Sequence, residues 1–276
     1  MRTRFAPSPT GPLHLGHAFS ALTAFDMAQE SGGTFLLRIE DIDLSRSRPE
    51  WEAAIFDDLS WLGLDWPRPV MRQSERLGVY RAALDRLGAM GLTYACTCTR
   101  RDIAEAASAP QEGVATGPDG PIYPGTCKTA GRDAAGAAIR LHMDRAVART
   151  GPIRFHDTGR DIEIGADRLV QEVGDIVLAR RDMGTSYHLS VVLDDAAQDI
   201  TDVVRGRDLQ DATAIHVLLQ RLMGISSPVY HHHRLIRDAQ GKRLAKRNDA
   251  RALRTYREAG ARPADIRAMV GLTRGA

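Results

Sequence analysis

Two histidines three residues apart, His14 and His17, follow the turn-forming segment Pro7-Ser8-Pro9-Thr10-Gly11-Pro12-Leu13. The prolines and the glycine bar a helix there, and an apolar helical pattern begins near Ala18. The histidines therefore fall where a loop becomes a helix. At such a junction unpaired backbone N–H groups and the positive end of the helix dipole favour an anion. Two imidazoles add donors for phosphate oxygens, and Gly16 lets the backbone approach a ligand closely. A second cationic element lies far downstream, Gly241-Lys242-Arg243-Leu244-Ala245-Lys246-Arg247. Lysine occurs elsewhere only at Lys128, so this pair stands out from an arginine-rich background. Such cations stabilise charge that develops on a departing pyrophosphate. Taken singly, the first element is equally a helix cap with surface histidines, and the second a solvated basic loop.

An amino-acid substrate with an acidic side chain would need cations and hydroxyls for two carboxylates and an acceptor for its ammonium group. Arg4 and Arg205 offer bidentate recognition of carboxylates. Ser8 and Tyr187 offer hydroxyls, and Glu40 an acceptor for an ammonium group. By spacing alone these are ordinary surface residues. Cys96, Cys98 and Cys127 form a third set. An odd cysteine count argues against a disulfide framework. Thiolates bind zinc, whose structural sites take four ligands. Three cysteines leave one position open, no histidine lies between Cys98 and Cys127, and three buried inert thiols are the plain alternative.

These groups need elements to position them. The chain has 276 residues, 43% of them hydrophobic, enough for a sizeable core in one or two domains. No window approaches the ~18 apolar residues of a membrane span, and no signal peptide precedes Arg2, so a soluble, cytoplasmic protein is expected. The net charge is only +2, so any RNA-binding surface must come from local clustering of arginine. Residues 3–6 read as a strand, followed by the histidine loop and a helix to about Glu30; Thr34 to Ile39 reads as a second strand. Trp51, Ile55, Leu59 and Leu62 recur at helical spacing, as do Leu77, Tyr80, Leu84 and Leu87. This alternation implies a parallel sheet with helices on its faces. Residues 96–136 are rich in Gly, Pro, Ala and Thr, and strand-like runs follow at 138–143, 153–156 and 161–164. They read as an insertion, after which the sheet is expected to resume near 175–178 and 187–193. A helix is expected over 211–223, and short helical material from Asn248.

The string Arg4 to His17 resembles the opening of class I aminoacyl-tRNA synthetases, with Leu13-His14-Leu15-Gly16-His17 standing as the HIGH motif. Arg4-Phe5-Ala6-Pro7-Ser8-Pro9-Thr10-Gly11 is similar to the glutamyl/glutaminyl branch, as are residues 37–43 and 203–209. The basic element resembles the KMSKS loop, with Arg243 in place of the first lysine and Ala245 in place of serine. The resemblance implies a Rossmann-like α/β catalytic domain over 1–94 and 170–247. A zinc-bearing, tRNA-contacting α+β insertion would span 95–169, and a short helical segment 248–276. It implies His14, His17 and Lys246 as catalytic residues, and His14, Gly16, His17, Arg243 and Lys246 around ATP, with Mg²⁺. It implies a glutamate site of Arg4, Phe5, Ala6, Pro7, Ser8, Glu40, Tyr187 and Arg205.

Tyr123-x-x-x-Cys127 resembles the zinc site of the glutamyl-queuosine group within this branch, where tyrosine joins Cys96, Cys98 and Cys127. The chain stops soon after Lys246, without the length for an anticodon-binding module. That group's reaction is then expected: glutamate activation by ATP and transfer to queuosine at the wobble position of tRNA(Asp). The partner would be the anticodon stem-loop, bound by a monomer. Two rivals are 3′-end glutamylation of a tRNA and a non-catalytic RNA-binding paralogue. One of His231, His232 and His233 is expected to face the nucleotide and the others solvent. Asp41, Asp43, Asp194 and Asp195 are read as structural or RNA-facing, and Trp51, Trp61 and Trp66 as packing.

Overall fold

The turn at residues 7–12 ends the first strand and hands the chain to a helix with four alanines among its six buried residues. The computed structural model describes residues 1–107, 115–237 and 251–272. Its first elements are β1 (Arg2–Phe5), α1 (Leu15–Glu30), β2 (Thr34–Ile39), α2 (Pro49–Trp61) and β3 (Met71–Arg72). Then come α3 (Leu77–Ala89), β4 (Thr93–Cys96), α4 (Arg100–Ala107), and the hairpin of β5 (Thr116–Gly117) and β6 (Gly120–Pro121). They are followed by β7 (Ala138–Leu141), α5 (Met143–Thr150), β8 (Ile153–Asp157), β9 (Arg160–Ile164), α6 (Ala166–Arg168) and β10 (Val177–Ala179). The last are α7 (Tyr187–Ala197), β11 (Asp202–Gly206), α8 (Thr213–Met223), β12 (Val229–His233), α9 (Leu253–Glu258) and α10 (Pro263–Met269).

One compact unit gathers the described residues of Met1–Glu75, Asp199–Asp208 and Pro228–Ala276. In it β1, β2 and β3 are parallel neighbours, with Arg4 opposite Leu36 and Arg38 opposite Met71. β11 runs beside β1 in the same direction: Thr201 N donates to Arg2 O at 3.0 Å, and the Arg4 side chain to Val204 O at 3.4 Å. β12 is parallel to β11, and Arg205 lies opposite His232. Ala18, Ala21, Ala24 and Ala28 of α1 are buried with Leu22 against Phe5, Phe35, Leu37 and Ile39 of the strands. Small side chains let this helix approach the sheet closely, and Thr3 Oγ1 donates to Ala24 O at 2.7 Å. Leu253, Ile266 and Val270 complete the same core, so the C-terminal helices close it. Arg267 grips Asp26 with two bonds of 2.7 and 2.8 Å.

The other unit comprises Arg76–Gln198 and Leu209–Ser227 in their described residues. One sheet is antiparallel, in the order β10-β7-β4, and β8 pairs antiparallel with β9. The fully buried Asp194 accepts from Tyr80 Oη at 2.8 Å and Arg76 Nε at 2.7 Å, so it is structural. The units cut the chain differently from the expected segments, for α3, α7 and α8 all fall in the second.

Two expectations for the return of the sheet are corrected. The segment near 175–178 supplies β10, which pairs antiparallel with β7 inside the second unit. Residues 187–193 are not a strand but the start of α7, capped by Ser186, whose side chain accepts from Leu189 N. His188, Leu189, Ser190, Val191 and Val192 are all buried. A helix buried around its circumference has no apolar periodicity, and its valines imitate a core strand. The parallel sheet resumes instead at β11.

Asp58 of α2 is buried beside Asp57, with Arg254 and Arg257 of α9 as opposing charges. Burial, and then the Asp57 charge, push its carboxyl up to about 6. An unfolded aspartate titrates near about 3.9, so the folded state holds the proton longer and stability falls as pH rises from about 4 to about 6. Asp58→Asn removes that loss: at pH 8 it should stabilise the protein by up to roughly 3 kcal/mol, and at pH 4 by nothing. Urea denaturation at the two pH values checks the difference.

Candidate active site and metal centre

His14 is the N-cap of α1, in extended backbone, and its Nδ1 accepts the Gly16 N–H at 3.1 Å. His17 Nδ1 accepts the His14 N–H at 3.2 Å, closing a reciprocal cap. The rings stack with centroids 3.8 Å apart and planes 25° from parallel. A ring nitrogen that accepts carries no proton, so both imidazoles are neutral Nε2–H tautomers. Each then offers Nε2–H as its donor. Two of the backbone N–H groups at this helix start, those of His14 and Gly16, are met by the rings. Glycine at position 16 also leaves room for the His14 ring: a Cβ there would lie 2.9 Å from His14 Cε1. On the far side of the basic segment the chain returns next to His14, with Leu253 N donating to Leu13 O at 2.8 Å and Ala252 bridging His14. Lys242, Arg243, Ala245 and Lys246 lie outside the described residues.

The carboxylate-recognition candidates of the first unit gather at the C-terminal ends of parallel strands. Arg4 and Arg205 are each 5% exposed, on β1 and β11. Phe5 and Pro7 are buried, Ala6 is half-buried and Ser8 exposed. Glu40 follows β2, and its N–H donates to Pro7 O at 3.0 Å. Its carboxylate accepts from Arg38 Nη2 at 3.3 Å. Arg38 is fully buried and was not singled out in the sequence. Its only signal was a charge at an inward position of an apolar strand. Nearby, Asp41 accepts from Ser74 N at 2.8 Å and Ser74 Oγ at 2.6 Å. Asp43 is held below the usual carboxylate range first by the Ser45 hydroxyl, against burial, and then by Arg46.

None of the three consecutive histidines is simply solvated. His231 pairs with Asp202 at 2.8 Å, and His232 Nε2 accepts from Arg205 Nε at 3.0 Å. His233 contacts Ser20 Oγ at 2.6 Å, and burial pulls its pKa down. The tryptophans pack as expected: Trp66 stacks on Phe56, and Trp51 and Trp61 lie under Arg254 and Arg257.

In the second unit Tyr187 opens α7, its ring 5.5 Å from those of both His188 and His216. Those imidazoles are bonded to each other at 3.1 Å. A cavity of about 720 Å³ in this unit, walled by Phe155, Asp157, Gln210 and Asp211, holds none of the predicted site residues.

Cys96 ends β4, Cys98 follows it, and Tyr123 and Cys127 come from the segment after β6. The three sulfurs lie within 4.8 Å of one another. Tyr123 Oη is 3.4 Å from both Cys96 Sγ and Cys98 Sγ, and Cys98 Sγ is 3.5 Å from Cys127 Sγ. Zinc bound at about 2.3 Å to sulfur and about 2.0–2.2 Å to oxygen holds tetrahedral donors about 3.5–3.8 Å apart. The three thiols are close enough together to hold a metal ion, and Tyr123 Oη stands beside two of them. Burial pushes the Cys98 thiol and the Tyr123 hydroxyl up. At Cys127 burial is outweighed by hydrogen bonds from Tyr123 and Thr97, and the thiol is lowered to about 6. Arg181 steadies the knuckle by donating to the carbonyls of Cys96 and Cys98 at 3.4 and 3.1 Å. The Arg140 guanidinium lies 3.8 Å above the Tyr123 ring.

A parallel sheet whose first helix is capped by paired imidazoles, with buried arginines at its strand ends, defines the nucleotide-binding catalytic domain of a class I synthetase. The model for the tRNA synthetases class I (E and Q) catalytic domain matches residues 1–275, and the chain belongs to that family. A glutamyl-Q tRNA(Asp) synthetase of Rhodobacter capsulatus is 62% identical over 281 residues, covering 99% of this chain and 100% of that relative. A protein of the same name from Nocardia farcinica is 43% identical, covering 97% of this chain and 82% of its own length. Among solved structures, a glutamate tRNA ligase from Elizabethkingia meningosepticum in complex with its amino acid is 29% identical, with a TM-score of 0.76. The match covers 99% of this chain but only 60% of that ligase. A methionyl-tRNA synthetase from Mycobacterium tuberculosis has a TM-score of 0.60 at 10% identity over 98% of this chain and 63% of its own, a likeness of fold alone.

Gly16→Ala should displace the His14 ring and lower kcat for glutamate-dependent ATP–pyrophosphate exchange by about 10²-fold, an orientation effect. An unchanged rate would detach the cap from the chemistry. Cys98→Ser should leave three weaker donors, release zinc and lower the melting temperature; metal analysis and a thermal melt check both.

Proposed function

We propose that the chain activates L-glutamate with ATP and transfers the glutamyl group to queuosine at the wobble position of tRNA(Asp). One observation carries this reading above the others. Relatives named for that reaction match nearly the whole chain, at up to 62% identity among those cited. The sequence motifs that would supply the glutamate- and phosphate-binding residues follow the order of that family. The 29%-identical glutamate tRNA ligase favours the second reading, charging of a tRNA 3′ end, and the two differ in the acceptor.

Activation begins with glutamate held by charge. Arg4 and Arg205 take carboxylates, Glu40 the ammonium, and Ser8 and Tyr187 supply hydroxyls. Phe5, Ala6 and Pro7 provide the backbone wall. A glutamate carboxylate oxygen attacks the α-phosphorus of ATP, the bond to the bridging oxygen breaks, and pyrophosphate leaves. The Nε2–H groups of His14 and His17 donate to phosphate oxygens, Gly16 keeps their rings in register, and Lys246 and Arg243 offset the growing charge. Mg²⁺ arriving with ATP would supply further screening of the triphosphate. A queuosine hydroxyl then attacks the acyl carbon of glutamyl-adenylate, loses its proton, and releases AMP. No covalent enzyme intermediate is needed, and the residues hold and orient the reactants.

Zinc on Cys96, Cys98, Tyr123 and Cys127 would brace the segment 95–169, which we assign to RNA contact. It takes no part in the chemistry.

Incubation with ATP, labelled glutamate and two tRNA pools, one containing queuosine and one lacking it, tests the reading. Label is expected only in the queuosine-containing pool. Equal labelling of both would mean 3′-end charging, and no labelling together with no pyrophosphate exchange would mean a non-catalytic RNA-binding protein.

A further inference from the structure

The histidine run at the end of β12 has a use that its spacing did not reveal. Side chains alternate along a strand, so His232 shares a face with Tyr230, while His231 and His233 take the other. His231 and His233 are engaged by Asp202 and Ser20. His232 lies directly across the parallel pair from Arg205. Arg205 Nε donates to His232 Nε2 at 3.0 Å, and the guanidinium carbon sits 5.2 Å from the centre of the Tyr230 ring. Tyr230 and His232 are stacked with planes 2° from parallel. All three residues are buried, at 5%, 4% and 1% exposure for Arg205, His232 and Tyr230.

A guanidinium has one N–H on Nε and four on its two Nη atoms. It can meet a carboxylate side-on, through Nε and one Nη, or end-on, through both Nη. With Nε–H given to His232, the side-on mode is closed. The imidazole accepts at Nε2, so it is the neutral Nδ1–H tautomer. The Tyr230 ring restrains the guanidinium from its face.

We propose that His232 is a positioning residue for the amino-acid substrate. It holds Arg205 so that the guanidinium offers its two terminal nitrogens, and not its Nε edge, to the substrate carboxylate. Pre-ordering a long side chain removes the entropy that binding would otherwise cost. The proposal rests on the reading of Arg205 as a carboxylate-binding residue. It moves His232 from the nucleotide, where sequence placed one of the three histidines, to glutamate.

Pyrophosphate exchange by the full-length protein separates the two, read as KM for glutamate and KM for ATP, with a thermal melt of each variant. His232→Leu should raise KM for glutamate about tenfold while KM for ATP stays within about twofold. His232→Gln, whose amide oxygen can accept from Nε, should recover most of that loss. In an Arg205→Lys background, which has no Nε–H to orient, His232→Leu should add nothing. Equal shifts in both KM values, or full additivity with Arg205→Lys, would overturn the positioning role. If Arg205→Lys itself binds glutamate like the parent, the carboxylate assignment falls and this proposal with it. Should His232→Leu fail to fold, Gln and the shorter Asn are compared instead. Gln should then preserve KM for glutamate and Asn raise it, and equal values would refute the proposal.

Discussion

The reciprocal bonds between two imidazoles and the first turn of α1 are the constraint on which the first unit's chemistry depends. Every helix start leaves backbone N–H groups without intrahelical partners, and leaving one buried and unmet costs about 1–3 kcal/mol. Here His14 and His17 meet two of them with Nδ1, which fixes the tautomer and the orientation of each ring. The bonds that cap the helix thus also decide which ring nitrogen bears the proton. Glycine at position 16 follows from that packing, because the His14 ring lies where a methyl group would be. The hydrogen bond from Leu253 to Leu13 then ties the end of the basic segment to this same turn.

A second constraint is buried positive charge. Arg4, Arg38 and Arg205 are each at most 5% exposed, in or beside a sheet that is otherwise apolar. Burying a guanidinium is unfavourable unless anions or acceptors surround it. The protein supplies some of these: Glu40 beside Arg38, the Val204 carbonyl beside Arg4, and His232 beside Arg205. On the proposed reading, an anionic substrate would join these acceptors. The membership of the chain in the glutamyl and glutaminyl synthetase family agrees with that electrostatic design.

The second unit is held by other means. Its sheet strands are short, and Cys96, Cys98, Tyr123 and Cys127 converge from segments far apart in sequence. Arg181 and Arg140 steady that convergence through carbonyls and the tyrosine ring. The buried Asp194 does the same for α3 and α7 by accepting from Tyr80 and Arg76. Polar anchors of this kind fix geometry more than they add stability, because each buried bond largely replaces one to water.

The sequence by itself determined what local chemistry can dictate. The prolines and glycine before His14 set the loop-to-helix junction, and the spacing of Trp51, Ile55 and Leu59 set α2. The motif order pointed to the family. Three cysteines pointed to a possible metal site, though tyrosine as a fourth donor came from resemblance and not from any property of its spacing. Tertiary structure decided the rest. Residues 187–193 became a helix because surroundings buried every face and erased the periodicity that marks a helix. Residues 177–179 paired antiparallel because β7 offered an open edge, which no local pattern encodes. The three adjacent histidines acquired three different partners, since cross-strand register, not sequence, chooses what a side chain meets. Short-range preferences are written along the chain, whereas the protonation of His14 and the aim of Arg205 depend on atoms supplied by the fold.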